Sequence, residues 1–222
     1  MNRTTWLGIA GAALVVGAAC HDSVNIFACF EPNVSGYRYS LPTDSNFVFR
    51  WPASYNPVRV YAEPTGELQA NTLAAMQLWG NAFHCGELSM QMVSDSTRAD
   101  IIVRNPTAIP PAAAGTIVLA ADSVGACRGL TTDSTATGQP TLAGPIRSFV
   151  APISADPVAV AACYHFVTAH EQGHALGLLS HSLDPVDLMY TLPRRRVLSQ
   201  ADKVTIESLY HTTPTIGPPP RQ

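Results

Sequence analysis

The chain has 222 residues, enough for one domain with a well-formed core and some additional segments, but short for two complete domains. Hydrophobic residues make up 46% of the sequence and charged residues 13%, with a net charge of -3. This composition argues against an intrinsically disordered chain. It also argues against nucleic acid as a partner, because there is no surplus of basic residues to neutralise phosphates.

Residues 1–20 show the order of features that is typical of an export signal. Arg3 supplies a positive charge, an apolar stretch ends at Val16, and three small residues precede Cys20. The pattern resembles a bacterial lipoprotein signal, in which this cysteine is lipidated, although glycine stands where that signal usually has leucine. Ordinary signal peptidase cleavage before Cys20 is the alternative. We therefore expect an exported protein, either anchored to a bacterial membrane through Cys20 or released into the periplasm or medium.

Export would place the remaining cysteines in an oxidising compartment. Apart from Cys20 there are four, an even number that permits two disulfides in any of three connectivities, with buried thiols as the alternative. None of the four lies in a CxxC pair, so we expect neither a cysteine-bound zinc nor a redox motif. The four are Cys29, Cys85, Cys127 and Cys163.

The first half of the chain predicts a helix between strands. Residues 21–56 have weak periodicity, and we expect an irregular tether or cover there. A strand is predicted over Val58 to Glu63, an amphipathic helix from Glu67 to about His84, and two strands at 88–93 and 99–103. This order favours mixed α and β packing.

The stretch 105–144 is rich in Pro, Gly, Thr and Ala. Two short apolar runs, 116–120 within it and 146–150 just after it, predict further strands. The proline-rich residues 211–222 predict a disordered tail.

Residues 157–179 are apolar almost all the way round a helical projection, which predicts a central, buried helix. The apolar pattern is interrupted by His170, Glu171 and His174. Unpaired polar groups in a core cost roughly several kcal/mol. Metal ligation would explain them, with satisfied core side chains as the alternative. Residues four apart on a helix stack one turn apart, so both imidazoles can face one ion while Glu171 takes a proton from a bound water.

The stretch His170 to Tyr190 resembles the metzincin zinc peptidases, and most closely the matrixin (matrix metalloproteinase) branch. The resemblance extends to about residues 57–210 through three further short matches. These are Gln77-Leu78-Trp79, Ala99-Asp100-Ile101 and Leu198-Ser199. It implies an α+β, zincin-like catalytic domain over that range. Such a domain has a twisted mixed sheet, a central zinc helix, a methionine turn and a C-terminal helix.

The resemblance also implies an activity. It predicts a zinc endopeptidase that hydrolyses peptide bonds with a zinc-activated water and Glu171 as general base. Met189 would pack beneath the site without binding the metal. We expect a monomer that acts on a peptide or protein substrate, with zinc as the cofactor. A catalytically silent binding protein and a zinc hydrolase of a non-peptide substrate remain the alternatives.

The third metal ligand is where the chain departs from the family. The usual spacing puts a histidine at position 180, but Ser180 stands there and His181 follows. A serine hydroxyl is a poor zinc ligand. The downstream residues keep the matrixin spacing when counted from His181, which places an insertion before it. We therefore expect His181 to be the third ligand, with Asp184 as the alternative.

The other histidines, His84, His165 and His211, are expected to be structural or solvated. The basic run Arg194-Arg195-Arg196 is expected to be a solvated loop, or else to influence substrate choice because it follows the methionine turn.

Overall fold

The computed structural model describes residues 35–111, 116–134 and 140–221, without the side chains of 116–124 and 134. The predicted export signal, Cys20 and Cys29 lie outside these residues. Within the described part of the chain, no helix is both long and apolar enough to cross a membrane.

A six-stranded mixed sheet and three helices make up the regular structure of the described residues. The strands are β1 (Val58–Ala62), β2 (Met90–Met92), β3 (Ile101–Arg104), β4 (Thr116–Val124), β5 (Cys127–Ser134) and β6 (Ile146–Pro152). The helices are α1 (Leu68–Gly80), α2 (Pro157–Ala175) and α3 (Gln200–Tyr210). The strand order is β2-β1-β3-β6-β5-β4. Strands β1, β2, β3 and β6 run parallel, and β5 is antiparallel to both of its neighbours. The α+β class and the mixed sheet agree with the prediction.

Helix α1 ends earlier than predicted, at Gly80 instead of near His84, since glycine is a weak helix former. Helix α2 ends at Ala175, and Gly177 takes φ +110° and turns the chain away.

Strand β5 was not predicted. Three of its residues, Thr131, Thr132 and Asp133, are polar and buried, so the strand lacks the apolar pattern that marks a core strand.

Helix α2 is buried mainly in its C-terminal half. Its first turns are largely exposed, with Val158 77% accessible, whereas residues 167–175 are all buried. Asp156 caps the first turn by accepting a hydrogen bond from the Val158 N–H. Two indoles donate to carbonyls of the buried half, Trp79 to Ala169 at 2.8 Å and Trp51 to Ala175 at 3.0 Å. The N-terminal half therefore lies at the surface, against the prediction of a wholly buried helix.

A disulfide between Cys127 and Cys163 links the start of β5 to α2. This pairing excludes two of the three connectivities that the sequence left open, and Cys85 is disulfide-bonded as well. Because 36 residues separate the two cysteines, the loop-closure model gives a stabilisation of about 4 kcal/mol. The disulfide therefore fixes β5 against the helix that carries His170.

The segment before β1 is a cover in its described part. Phe47, Phe49 and Trp51 are buried in the main core, and Phe49 forms a parallel bridge with Ile216. The folded domain therefore begins before residue 57, the predicted boundary. Aromatic burial rather than periodicity holds this segment, which is why its sequence pattern was weak.

The proline-rich tail is ordered as far as Arg221, so the prediction of a disordered tail was wrong. The Gly217 N–H donates to the Pro140 carbonyl at 2.8 Å, and the Arg221 guanidinium lies 2.9 Å from the buried Asp100 carboxylate. Proline removes N–H donors but leaves carbonyls and an extended backbone that can pair laterally. Composition alone therefore misjudged a segment that tertiary contacts hold in place.

Asp100 is a carboxylate at which burial and arginine contacts oppose each other. Burial disfavours its ionised form, but hydrogen bonds from Arg59 and Arg221 outweigh this and hold the pKa of Asp100 below its ordinary value.

Replacing Arg221 with alanine should lower the free energy of unfolding by about 1–3 kcal/mol at neutral pH, since Asp100 stays buried with fewer donors. The loss should shrink as the pH falls through the lowered pKa of Asp100, because the protonated carboxyl no longer needs the guanidinium. Urea unfolding followed by tryptophan fluorescence measures this. The exposed Arg104, at the end of β3, provides the control Arg104→Ala. Equal losses in the two variants would contradict the assignment.

Candidate metal centre

Three histidines meet beside the C-terminal half of α2. His170 and His174 lie on adjacent turns with their Nε2 atoms 3.0 Å apart. His181 comes from the loop after the helix, and its ring centroid lies 5.2 Å from that of His170 and 4.9 Å from that of His174. One ligand nitrogen from each ring lies within 4.8 Å of the others. The structure therefore brings together the three histidines that the sequence singled out.

The two other candidates for the third position lie elsewhere. Ser180 donates its hydroxyl to the Ser40 carbonyl at 2.5 Å. Asp184 accepts a hydrogen bond from the Val186 N–H at 3.0 Å, which caps a local turn. Neither side chain joins the cluster around His170.

The hydrogen bonds of the helical pair suit a metal ion. Nδ1 of His170 lies 2.8 Å from the Leu188 carbonyl, and Nδ1 of His174 contacts the Leu178 carbonyl. A carbonyl only accepts, so each Nδ1 must carry the proton, which leaves the lone pair of a neutral ring on Nε2. Two such lone pairs face each other, and a shared cation would relieve their repulsion. Both side chains are fully buried, so water cannot take that place freely.

The turn after α2 requires glycine. Gly177 has φ +110°, and a Cβ atom there would lie 2.2 Å from the Phe49 carbonyl oxygen. The Leu178 N–H donates back to the Gly173 carbonyl at 3.1 Å. This turn places the Leu178 carbonyl against His174, so one glycine both ends the helix and orients an imidazole.

Met189 packs against α2 beside the histidines. It is fully buried, and a Cβ atom on Gly173 would lie 2.5 Å from its sulfur. The preceding carbonyl, Leu188, accepts from His170, and the Met189 carbonyl accepts from the Ser182 N–H at 2.8 Å. The turn around Met189 therefore contacts both the helix and the loop that carries His181.

Asp202, which the sequence reasoning missed, holds this turn. Its carboxylate is fully buried and accepts from the N–H groups of Leu188 at 2.8 Å and Met189 at 3.3 Å. It also accepts from the Ser199 N–H at 2.9 Å, completing a capping box at the start of α3. The Ser-x-x-Asp spacing predicts such a cap, but the contact with the turn is tertiary and leaves no local signal.

Glu171 lies under β5. It is 1% exposed, and one carboxylate oxygen accepts from the Thr131 hydroxyl, which lies 3.0 Å from that of Ser148. A Cβ atom on Gly129 would lie 1.9 Å from the other carboxylate oxygen, so only glycine fits there. None of these three neighbours leaves a local signal, because Gly129 and Thr131 lie on β5, which was not predicted, and the strand pairing that brings Ser148 to Thr131 is tertiary.

A cavity of about 460 Å³ adjoins α2 on the N-terminal side of the histidines. The lining residues that belong to α2 recur at intervals of three or four residues, so they lie on one face of the helix, and that face continues to His170. Arg194 also lines the cavity, and the Arg196 guanidinium lies over the Phe166 ring at 5.2 Å. The basic run is an exposed loop, as expected, and two of its arginines lie beside α2. The cavity is lined by Gly125, Ala126, Ala159, Ala162, Cys163, Phe166, Leu192, Pro193 and Arg194.

The remaining histidines have structural neighbours, as expected. His165 Nδ1 lies 3.4 Å from the Asn71 amide oxygen, and burial together with the nearby Arg196 charge lowers the pKa of His165. His84 lies 3.5 Å from a carboxylate oxygen of Glu207. His211 forms a similar pair, 3.2 Å from Glu87.

Comparison with known families agrees with the motif. The family model described as Matrixin matches residues 119–211, a stretch that contains β5, β6, α2, α3 and the three histidines. The chain is matrixin-like over this stretch. The mixed sheet and the helices fit the zincin-like fold that the resemblance implies. A comparison with curated proteins gives no match. The resemblance of residues 57–118, which rested on short runs, lies outside the matched stretch.

The variant Asp202→Asn should lower the free energy of unfolding by about 2–4 kcal/mol, because its amide NH₂ would face backbone N–H donors. Urea unfolding at neutral pH measures the change. The control is Asp44→Asn, a change in an exposed turn where the side chain accepts from the Asn46 N–H at 2.9 Å. If the two variants unfold at the same urea concentration, Asp202 does not hold the turn around Met189.

Proposed function

We propose that this matrixin-like chain is a zinc-dependent endopeptidase. The observation that carries the proposal is the buried cluster of His170, His174 and His181, in which two backbone carbonyls orient the helical pair with Nε2 inward. Three imidazoles and one open position are the ligand set of catalytic zinc sites. The matrixin match over this stretch supports the same chemistry.

In this proposal the three histidines hold the metal through ring nitrogens. Zinc, when bound, supplies a Lewis acid that polarises the scissile carbonyl and makes a water molecule more acidic. The Leu188 and Leu178 carbonyls keep the rings of His170 and His174 in the required tautomer. Met189 contributes packing and no ligand.

Glu171 would be the general base. It would accept the proton of the attacking water and pass it to the leaving amine. The Thr131 hydroxyl donates to one carboxylate oxygen, which fixes the side chain while Gly129 leaves room for it. Aliphatic side chains in place of Thr131 and Glu171 would serve packing equally well. A buried carboxylate with this support favours a working general base over a silent binding protein.

The test is cleavage of a peptide library by the purified folded domain. We expect cleavage that a chelator abolishes and added zinc restores. The variant Glu171→Gln should lose at least about a hundredfold in kcat, the usual contribution of a general base. Its zinc content should equal that of the parent, which distinguishes loss of the base from loss of the metal.

Chelator-insensitive cleavage, or equal kcat in the Glu171→Gln variant, would overturn the mechanism. Zinc binding without cleavage of any peptide would instead favour one of the two alternatives, a silent binding protein or a hydrolase of another substrate.

The assignment of His181 as third ligand has its own test. The variant His181→Ala should bind zinc at least about a hundredfold more weakly, since one of three protein ligands is lost. Asp184→Ala should bind zinc like the parent, because Asp184 caps a turn outside the cluster. Competition with a chromophoric chelator measures both affinities. Parent-like affinity in His181→Ala, together with loss in Asp184→Ala, would reverse the assignment.

A further inference from the structure

A short segment before the sheet contacts both elements that frame the metal centre. This segment, residues 36–41, is here called the N-terminal strap. At one end it bonds to the loop between α2 and His181, and at the other it bonds to α3. It also borders, with that loop, a cavity of about 690 Å³ that His181 lines. The strap therefore lies beside the least buried of the three histidines.

The loop bonds fall on the two residues before His181. The Leu179 N–H donates to the Tyr39 carbonyl at 2.8 Å, and the Ser180 hydroxyl donates to the Ser40 carbonyl at 2.5 Å. The last backbone bond to α2 is made earlier, from Leu178 to Gly173. Residues 179 and 180 are therefore held in place by the strap rather than by the helix.

Ser180 occupies the position at which the family spacing expects a histidine. It is 5% exposed, so its hydroxyl needs a partner within the protein, and the Ser40 carbonyl provides one. The extra residue thus turns toward the strap, and His181 is the side chain that faces the helical pair.

The other end of the strap is anchored on α3. The Tyr37 N–H donates to the Thr205 hydroxyl at 2.9 Å, and the Tyr37 hydroxyl donates to Asp202 at 2.7 Å. Burial and the Asp202 charge raise the pKa of Tyr37, which keeps the phenol protonated as a donor. A Cβ atom on Gly36 would lie 2.8 Å from the Thr205 hydroxyl oxygen, so the approach is close. Asp202 also holds the turn around Met189, so the strap shares an anchor with the support of His170.

We propose that the N-terminal strap sets the position of His181 and thereby the zinc affinity of the site, with Ser180 as a positioning residue. The inference rests on the proposed zinc function. It assigns Ser180 no bond to the metal. Its effect passes through the backbone to the next residue, in the way that groups around metal ligands tune affinity.

The test is the zinc dissociation constant of three variants beside the parent. Ser180→Ala removes the bond to Ser40 and should raise the dissociation constant about five- to tenfold. Tyr37→Phe loosens the far end of the strap and should raise it about two- to fivefold. The control Ser208→Ala changes a half-buried serine on α3 outside the strap and should leave it unchanged.

A second readout separates positioning from general destabilisation. The electronic spectrum of bound Co²⁺ reports ligand geometry and should change in Ser180→Ala but not in Ser208→Ala. Unchanged zinc affinity and an unchanged Co²⁺ spectrum in Ser180→Ala would overturn the strap inference. If Ser180→Ala fails to fold, unchanged affinity and an unchanged spectrum in Tyr37→Phe would overturn it instead. A parent protein that binds no zinc would instead overturn the proposed function.

Discussion

The buried half of α2 carries polar side chains that the rest of the domain must satisfy. Residues 167–175 are all buried, so an unpaired imidazole or carboxylate there would cost roughly several kcal/mol. The two histidines and the glutamate each have a hydrogen-bond partner on a different element. His170 bonds to the turn around Met189, His174 to the exit of its own helix, and Glu171 to β5. The positions of these elements relative to α2 follow from this requirement.

The partners themselves depend on further contacts. The Leu188 carbonyl stays in place because Asp202 binds the N–H groups of the same turn. Strand β5 is fixed to α2 twice, by the disulfide at Cys127 and by the Thr131 hydroxyl, two positions on the same face of the strand. The support of His170 and Glu171 therefore extends to residues far from them in sequence, and a change in α3 or β5 affects the site.

The difference between local and tertiary contacts explains what the sequence could and could not predict. The pairing of His170 with His174, the break at Gly177 and the cap at Ser199 are local, since helical spacing and backbone freedom decide them. Strand β5, the Thr131 contact and the second role of Asp202 are tertiary, and their polar residues resemble a loop when only periodicity is considered. The prediction of a disordered tail failed for the same reason, because the partner of Arg221 is Asp100, 121 residues earlier.

The three histidines also differ in how they are fixed, and this bears on how the site tolerates an insertion. His170 and His174 keep their spacing because the helix sets it, so an extra residue between them would turn one ring away. His181 follows the last backbone bond to the helix, and the two residues before it bond to Tyr39 and Ser40. An added residue between the helix and His181 changes which groups of the loop bond to the N-terminal strap. The spacing within the helical motif is therefore rigid, whereas the distance to the third histidine can vary if a neighbouring segment fixes the loop. In this chain the segment lies more than a hundred residues earlier, where a motif search does not look for it.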